Sequence, residues 1–510
     1  MDAIELTLFV KRTDAICEEM GNVLMRTAFS PNIKDRLDFS CAIFDSEGQL
    51  CAQAAHIPVH LGSMAYAMAD IVNKRDWQPG EMIILNDPYL GGTHLPDITL
   101  IAPVFNNQKL RAFVANRAHH ADIGASTPGS MPLASKLDEE GLVIPPTIIM
   151  RDGNICQESF NTILNKLHNP NMAKPDFIAQ ISANKTGIIR LSTLIESMGD
   201  SNFLAALKEL NKYVETMAMT ALSGLKKGRY EFSDVMDGDG LDDSDIHIRV
   251  AVNITDRKII VDFTGTDPQV KGNINCPLSV TAAAVYYCFY CLMPPQTPAS
   301  AGAFRTISII APEGCLLNSV YPAAVAAGNV ETSTRIVDVV LGALAKILPD
   351  RIPAASHGSM NNIAMGAEGW DYYETLGGGM GAGKQNPGLH AVQTHMTNTL
   401  NTPIEILEKY YPLLIRKYAI RKSSGGKGKN KGGDGLTREY EFLEACHVTL
   451  LTERRQHPPW GLAGGENGQT AVNLLNEKPV PGKTAFIANC GDRLTLETAG
   501  GGGWGVPLDR

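Results

Sequence analysis

The sequence predicts a multi-domain α+β protein with mixed, mostly antiparallel sheets and packed helices. Three observations lead there. The chain has 510 residues, more than a single hydrophobic core ordinarily organises. A few long segments carry apolar residues at helical spacing, and many short ones carry apolar runs or alternation bounded by turn residues. The two kinds are segregated along the chain rather than alternating as repeated βαβ units. Changes of character near residues 228 and 350 divide it into 1–227, a central α+β segment 228–350, and a Gly-rich, β-containing segment 351–510.

The elements follow in order. Leu6, Phe9, Val10, Ala15, Ile16, Met20, Val23 and Leu24 predict a long amphipathic helix over Ile4 to Arg26. Asp38 to Asp45 and Gln49 to Ala54 read as a hairpin about Asp45-Ser46-Glu47-Gly48. Val59 to Asn73 reads as a helix, and Met82 to Leu85, Thr99 to Val104 and Ala112 to Ala115 as strands. Lys174 to Gly199 and Asn202 to Leu225 are helical, with charged residues between apolar positions. Strands follow at Tyr230 to Met236, Ile246 to Ile254 and Lys258 to Thr264, then helices at Val280 to Leu292 and Val330 to Leu348. Beyond Glu439 the chain returns to strands and ends in a glycine run.

The net charge of −9 argues against nonspecific nucleic-acid binding. The apolar run Val280 to Met293 is too short for a membrane span and contains Tyr286, Tyr287 and Tyr290. The N-terminal residues Met1-Asp2-Ala3-Ile4-Glu5 do not read as a secretory signal. The ten cysteines are scattered, and the one CxxC, Cys288 with Cys291, lies inside that apolar run, so they read as reduced core thiols of a cytoplasmic protein.

Chemistry concentrates in Asn86-Asp87-Pro88-Tyr89-Leu90-Gly91-Gly92-Thr93-His94-Leu95-Pro96-Asp97 and in Asn116-Arg117-Ala118-His119-His120-Ala121-Asp122-Ile123-Gly124. Imidazoles and carboxylates together suit Zn, Mn or Fe, and a metal there would activate water or a carbonyl. Pro96 takes His94 and Asp97 out of a helix and onto a turn. His119 and His120 are neighbours, which on extended backbone point to opposite faces, so one of them shares a centre with His94. Both stretches adjoin strands and are expected in loops.

Other signals are weaker. Gly378 to Lys384 nearly spells a P-loop, but Gln385 stands where Ser or Thr would hold Mg²⁺, and Pro387 breaks the helix that should follow. A tight turn lining a pocket is the expectation. Ala326 to Arg335 reads as a helix start able to receive an oxyanion, or as an ordinary start with a surface Glu331–Arg335 ion pair. Lys427, Lys429 and Lys431 read as a solvated loop. There is no GxSxG elbow, and the GxGxxG spelling at Gly500 opens no helix.

On these stretches, with Asp35-Arg36-Leu37-Asp38-Phe39-Ser40-Cys41, Ala55-His56-Ile57-Pro58-Val59-His60-Leu61-Gly62-Ser63-Met64, Ala327-Gly328-Asn329-Val330-Glu331-Thr332-Ser333 and Gly432-Gly433-Asp434-Gly435, the chain resembles the hydantoinase B/oxoprolinase family from end to end. The resemblance implies a subunit of an ATP-dependent enzyme that opens hydantoin, 5-oxoproline or lactam rings. It implies a hetero-oligomer in which a hydantoinase A-type partner carries ATP and Mg. It places the metal on His94, Asp97 and His119, with Asp38 as a further ligand and His120 and Asp122 as acid/base candidates. Zn or Mn suits this redox-neutral chemistry, with Fe as the alternative for two histidines and a carboxylate. Water activated at the metal would then attack a ring carbon whose oxygen the partner had phosphorylated. The rival readings are the large subunit of an acetone- or acetophenone-type carboxylase and a structural subunit without catalysis.

Overall fold

The computed structural model describes residues 1–55, 57–256 and 258–507; His56 of the second matching stretch lies outside them. The first helix, α1 (Ala3–Thr27), starts at a capping box, with Asp2 accepting from the Glu5 amide at 2.8 Å and Glu5 from the Asp2 amide at 3.0 Å. After the short α2 (Pro31–Lys34) come β1 (Phe39–Asp45) and β2 (Leu50–Ala55), which form the expected hairpin. Helix α3 (Pro58–Val72) follows, then β3 (Met82–Leu85), β4 (Asp97–Asn106), β5 (Lys109–His119), β6 (Thr147–Arg151) and β7 (Asn154–Ile155).

These strands make one seven-stranded sheet in the order β2-β1-β5-β4-β3-β6-β7, antiparallel throughout. Helix α4 (Gln157–Leu164) follows β7, then the long α5 (Pro170–Met198) and α6 (Asp200–Leu222). Side-chain alternation sends Ile98, Leu100, Val114 and Ala118 into the core shared with α1 and α5. Phe44, Ile101, Phe113 and Ala115 pack on the opposite face with Met64 and Met68 of α3. Buried polar groups tie the layers together. Asn116 donates to Gln180 O and Asn184 Oδ1 of α5, both at 2.8 Å. On the other face Arg117 donates to Ser63 Oγ of α3 at 2.7 Å and to Thr99 Oγ1 at 2.8 Å.

A second sheet holds Gly228–Met236, Ile246–Ile254, Ile259–Asp262 and Ile307–Ile310, the last pair parallel. Helices α7 (Leu278–Tyr290) and α8 (Ser333–Ala345) belong to this region. The C-terminal segment adds a four-stranded and a five-stranded sheet whose strands interleave in sequence, and the short helix α9 (Ile404–Tyr410). The architecture is therefore the expected α+β, with mixed helices and predominantly antiparallel sheets. No described helix is long and apolar enough to cross a membrane. All ten cysteines are free, though Cys291 and Cys490 are exposed rather than in the core.

Two expectations change. Asp97 opens β4 and His119 closes β5, so both sit on strand ends rather than in loops. The helix expected from Val330 begins with a π-helical turn, Gly328–Thr332, and Glu331 and Arg335 are fully buried instead of forming a surface pair. Glu331 Oε1 accepts from the Met360 amide at 2.9 Å and Asn362 Nδ2 at 2.7 Å. Arg335 turns to Glu453 at 3.1 Å. The core closes over this helix from both sides, so neither group reaches water.

The near-P-loop has another role. Its glycines lie in a bundle of extended segments that exchange backbone hydrogen bonds with several neighbours at once. Gly379 N donates to Ala499 O, Gly433 N to Met380 O and Gly501 N to Gly433 O, at 2.8–3.0 Å. A Cβ on Gly379 would stand 2.0 Å from Gly433 O, and one on Gly501 would stand 2.1 Å from Met380 O. Here glycine serves close backbone approach, not phosphate binding.

Candidate metal centre

The centre forms where β4 begins and β5 ends. The segment Asn86-Asp87-Pro88-Tyr89-Leu90-Gly91-Gly92 folds back on itself before delivering His94. Asp87 accepts from the Tyr89 amide at 2.9 Å, and Gly92 N donates to Asp87 O at 2.8 Å. Gly91 takes φ 100°, and a Cβ on Gly92 would meet Asn86 O at 2.4 Å, so this turn requires glycine at both positions. Asn86 pins the loop by donating to Leu95 O at 2.8 Å and accepting from the Ile144 amide at 2.6 Å.

His94, Asp97 and His119 offer ligand atoms that all lie within 4.8 Å of one another, and all three are buried. His94 Nε2 is 3.0 Å from Asp97 Oδ1, and His119 Nδ1 is 3.3 Å from the same oxygen. A carbonyl can only accept, so the contact of His94 Nδ1 with Ala326 O at 3.2 Å fixes the proton on Nδ1. Nε2 then faces Asp97, where it takes either a proton or a cation. The Nε2 atoms of His94 and His119 are both buried without a hydrogen-bond partner among the described residues. Buried polar atoms are rarely left so, and two orphaned imidazole nitrogens beside a carboxylate fit a divalent cation. His119 also stacks on Tyr373, with ring centroids 4.6 Å apart.

Further groups orient Asp97. Thr93 Oγ1 donates to Oδ2 at 2.6 Å, His60 Nε2 lies 3.4 Å from it, and Asn329 Nδ2 reaches it at 3.4 Å. His60 is held in turn by Ser40 Oγ at 3.0 Å. Burial alone raises the Asp97 carboxyl, but the His94 charge and the surrounding hydrogen bonds take it well below the carboxylate range. Burial presses His94 down, yet the adjacent Asp97 outweighs it and the net shift is upward. His119 is lowered by burial, which keeps it neutral and able to ligate. Glu140, pushed up to about 8 by burial, accepts from the Val325 and Ala326 amides and so holds the carbonyl that His94 uses.

A partly open space of about 20 Å³ adjoins the three residues. Asp38 lies on its wall, immediately before β1, but outside the close group of three. His120 and Asp122 are not brought to it. His120 turns to the α5 face, where Nε2 donates to Gln180 Oε1 at 2.9 Å and the ring packs on Phe177. Asp122 accepts from the Gly124 amide at 2.9 Å and the Asn169 amide at 2.6 Å beside the start of α5. His60, Asn329, Tyr373, Thr375 and Thr399 line the space without having been singled out from sequence as site residues. The signal for His60 and Asn329 was their place inside the family-like stretches; the other three come from a segment 250 or more residues beyond the triad, and nothing local marks them.

Fold and site together define a buried histidine–carboxylate cluster, able to hold a metal ion, at the end of an antiparallel sheet. The model of the Hydantoinase B/oxoprolinase family matches residues 2–507, and the chain belongs to that family. It is 40% identical to 5-oxoprolinase 1 of Arabidopsis thaliana over 99% of its own length, but spans 42% of that protein. It is 31% identical to a putative D-/L-hydantoinase subunit of a Pseudomonas species, covering all of this chain and 91% of that one. Its structure is similar to the ATP-dependent caprolactamase from Pseudomonas jessenii, with TM-score 0.93 and 27% identity over all of this chain and 92% of that one.

Proposed function

We propose that this chain is the metal-dependent subunit of an ATP-dependent cyclic amidase. Its substrate is a hydantoin, 5-oxoproline or lactam ring first phosphorylated on the amide oxygen by a hydantoinase A-type partner in the same hetero-oligomer. The observation that carries this reading is the meeting of two buried, unpartnered imidazole nitrogens and one carboxylate beside a partly open space. The names of the Pseudomonas hydantoinase subunit and of the ATP-dependent caprolactamase support the division of labour and the class of ring.

His94, Asp97 and His119 would hold the cation, with Asp38 on the wall of the same space as the further candidate. Zn or Mn suits a reaction without electron transfer, and such an ion supplies Lewis acidity toward water or a polarised carbon–oxygen bond. The chain's own groups exclude bulk water, since all three ligands are at most 2% exposed. They also fix the ligand orientations through Ala326, Thr93, His60 and Asn329. Water adds its hydroxyl to the activated ring carbon and its proton reaches the ring nitrogen. The carbon–nitrogen bond then breaks to leave an amine, and a second water releases phosphate from the acyl phosphate. The free cysteines fit a reducing cytoplasm.

The test is co-expression with an A-type partner, metal analysis, and a screen of 5-oxoproline, hydantoins and lactams with ATP. His94→Ala should lose the metal and ring opening while the partner still binds ATP. Full ring opening by that variant overturns the reading, and substrate-dependent uptake of labelled bicarbonate points to the carboxylase instead.

A further inference from the structure

The wall facing the three ligands carries a chain of hydrogen bonds with a fixed direction. Arg36 is fully buried, and its Nη2 lies 3.2 Å from Thr375 Oγ1. A guanidinium has no acceptor, so Thr375 accepts. Gln393 Nε2 donates to the same oxygen at 3.2 Å. With both of these bonds incoming, the Thr375 hydrogen is left for Thr399 Oγ1, 2.6 Å away. Thr399 therefore accepts from Thr375, and its own hydrogen finds no acceptor among the described residues. Thr375 and Thr399 are 2% and 6% exposed, and both line the space beside His94, Asp97 and His119.

We propose that the Thr399 hydroxyl is a catalytic hydrogen-bond donor to an anionic oxygen on the activated amide, polarised from behind by Arg36 through Thr375. The inference rests on the amidase reading and adds a residue to it. Successive hydrogen bonds polarise one another, and the charge at the head of this chain makes the last hydroxyl a stronger donor than an isolated threonine. When the adduct of water and ring carbon collapses, its hydroxyl passes its proton to the ring nitrogen, and negative charge grows on that oxygen as the carbon–nitrogen bond breaks. A donor held on the wall of the site by its neighbours meets that charge without reorganising. Arg36 is itself held by Tyr373 O at 2.7 Å and Asn32 Oδ1 at 3.1 Å, and its guanidinium lies 5.0 Å from the Tyr373 ring centroid. It acts through Thr375 and is a positioning residue, as Thr375 is.

Two measurements on Thr399→Val and Thr399→Ser test this in the full chain. The first is binding of inorganic phosphate, a stable tetrahedral oxyanion, to the metal-loaded chain by calorimetry. Thr399→Val should bind about tenfold more weakly with metal content unchanged, and Thr399→Ser should restore wild-type binding. The second is ring opening by the chain with its partner. Thr399→Val should lower kcat by roughly 100-fold with little change in KM, the loss seen when one such donor is removed. Thr375→Val should fall between the two, with rescue by Thr375→Ser. Equal phosphate binding by Thr399→Val and wild type overturns the proposal, as does a metal-loaded wild type that binds no phosphate. If wild type opens no cyclic amide but Thr399→Val still loses phosphate, the amidase reading fails while the oxyanion donor stands.

Discussion

Asp97 and His119 are direct partners across the β4–β5 ladder, so strand register alone brings the carboxylate to one of its imidazoles. His94 then completes the centre from the turn leading into β4. A sheet end is a rigid place to build such a site, because both backbones are fixed by their neighbours.

Asp97→Asn removes the charge that both imidazoles face. It should reduce metal affinity by more than the roughly 10–100-fold typical of an outer partner. Asn329→Ala, which removes only the hydrogen bond that Asn329 Nδ2 donates to Asp97 Oδ2, should stay within that range. Metal titration by calorimetry checks both, and equal affinities would sink the assignment of Asp97 as a ligand.

His120→Ala should leave metal content unchanged and lower stability by about 1–3 kcal/mol, because Gln180 loses a buried partner and Phe177 a packing surface. Thermal unfolding with elemental analysis separates the two effects. Loss of metal without loss of stability would put His120 at the centre after all.

Glu331 is pushed up to about 8, first by burial and then by the Glu453 charge, from an ordinary value of 4.5. The folded chain thus keeps a proton that the unfolded chain releases between those values. The associated stability is fully present below about 4.5, falls as pH rises toward about 8, and is flat above. Its size is on the order of a few kcal/mol. Denaturant unfolding across this range should show the slope in wild type, and Glu331→Gln should flatten it.

Gly501→Ala would place a Cβ 2.1 Å from Met380 O, whereas a Cβ on Gly383 meets nothing within 4 Å. The first should cost about 1–3 kcal/mol or more, since backbone must move. Gly383→Ala should be close to neutral. Comparable unfolding midpoints for the two would remove the packing account of the glycine bundle.

The sequence by itself determined much. Helical periodicity marked α1, α5 and α6, because a long amphipathic stripe repeats its signal many times. The hairpin of β1 and β2 was legible from a local turn, and β3 from a short apolar run. Spacing and the family resemblance pointed to His94, Asp97 and His119, and extended backbone required His119 and His120 to part. Tertiary structure decided what depends on distant contacts. It chose which of the two histidines joins His94 and Asp97, since only the packing of α5 against β5 fills the other face with Gln180 and Phe177. It turned Glu331 and Arg335 inward by closing the core over their helix. It also brought Ala326, Asn329 and Thr399 to a centre more than 200 residues away in sequence. No local pattern encodes such meetings, because their free energy comes from burying groups together that the unfolded chain keeps apart.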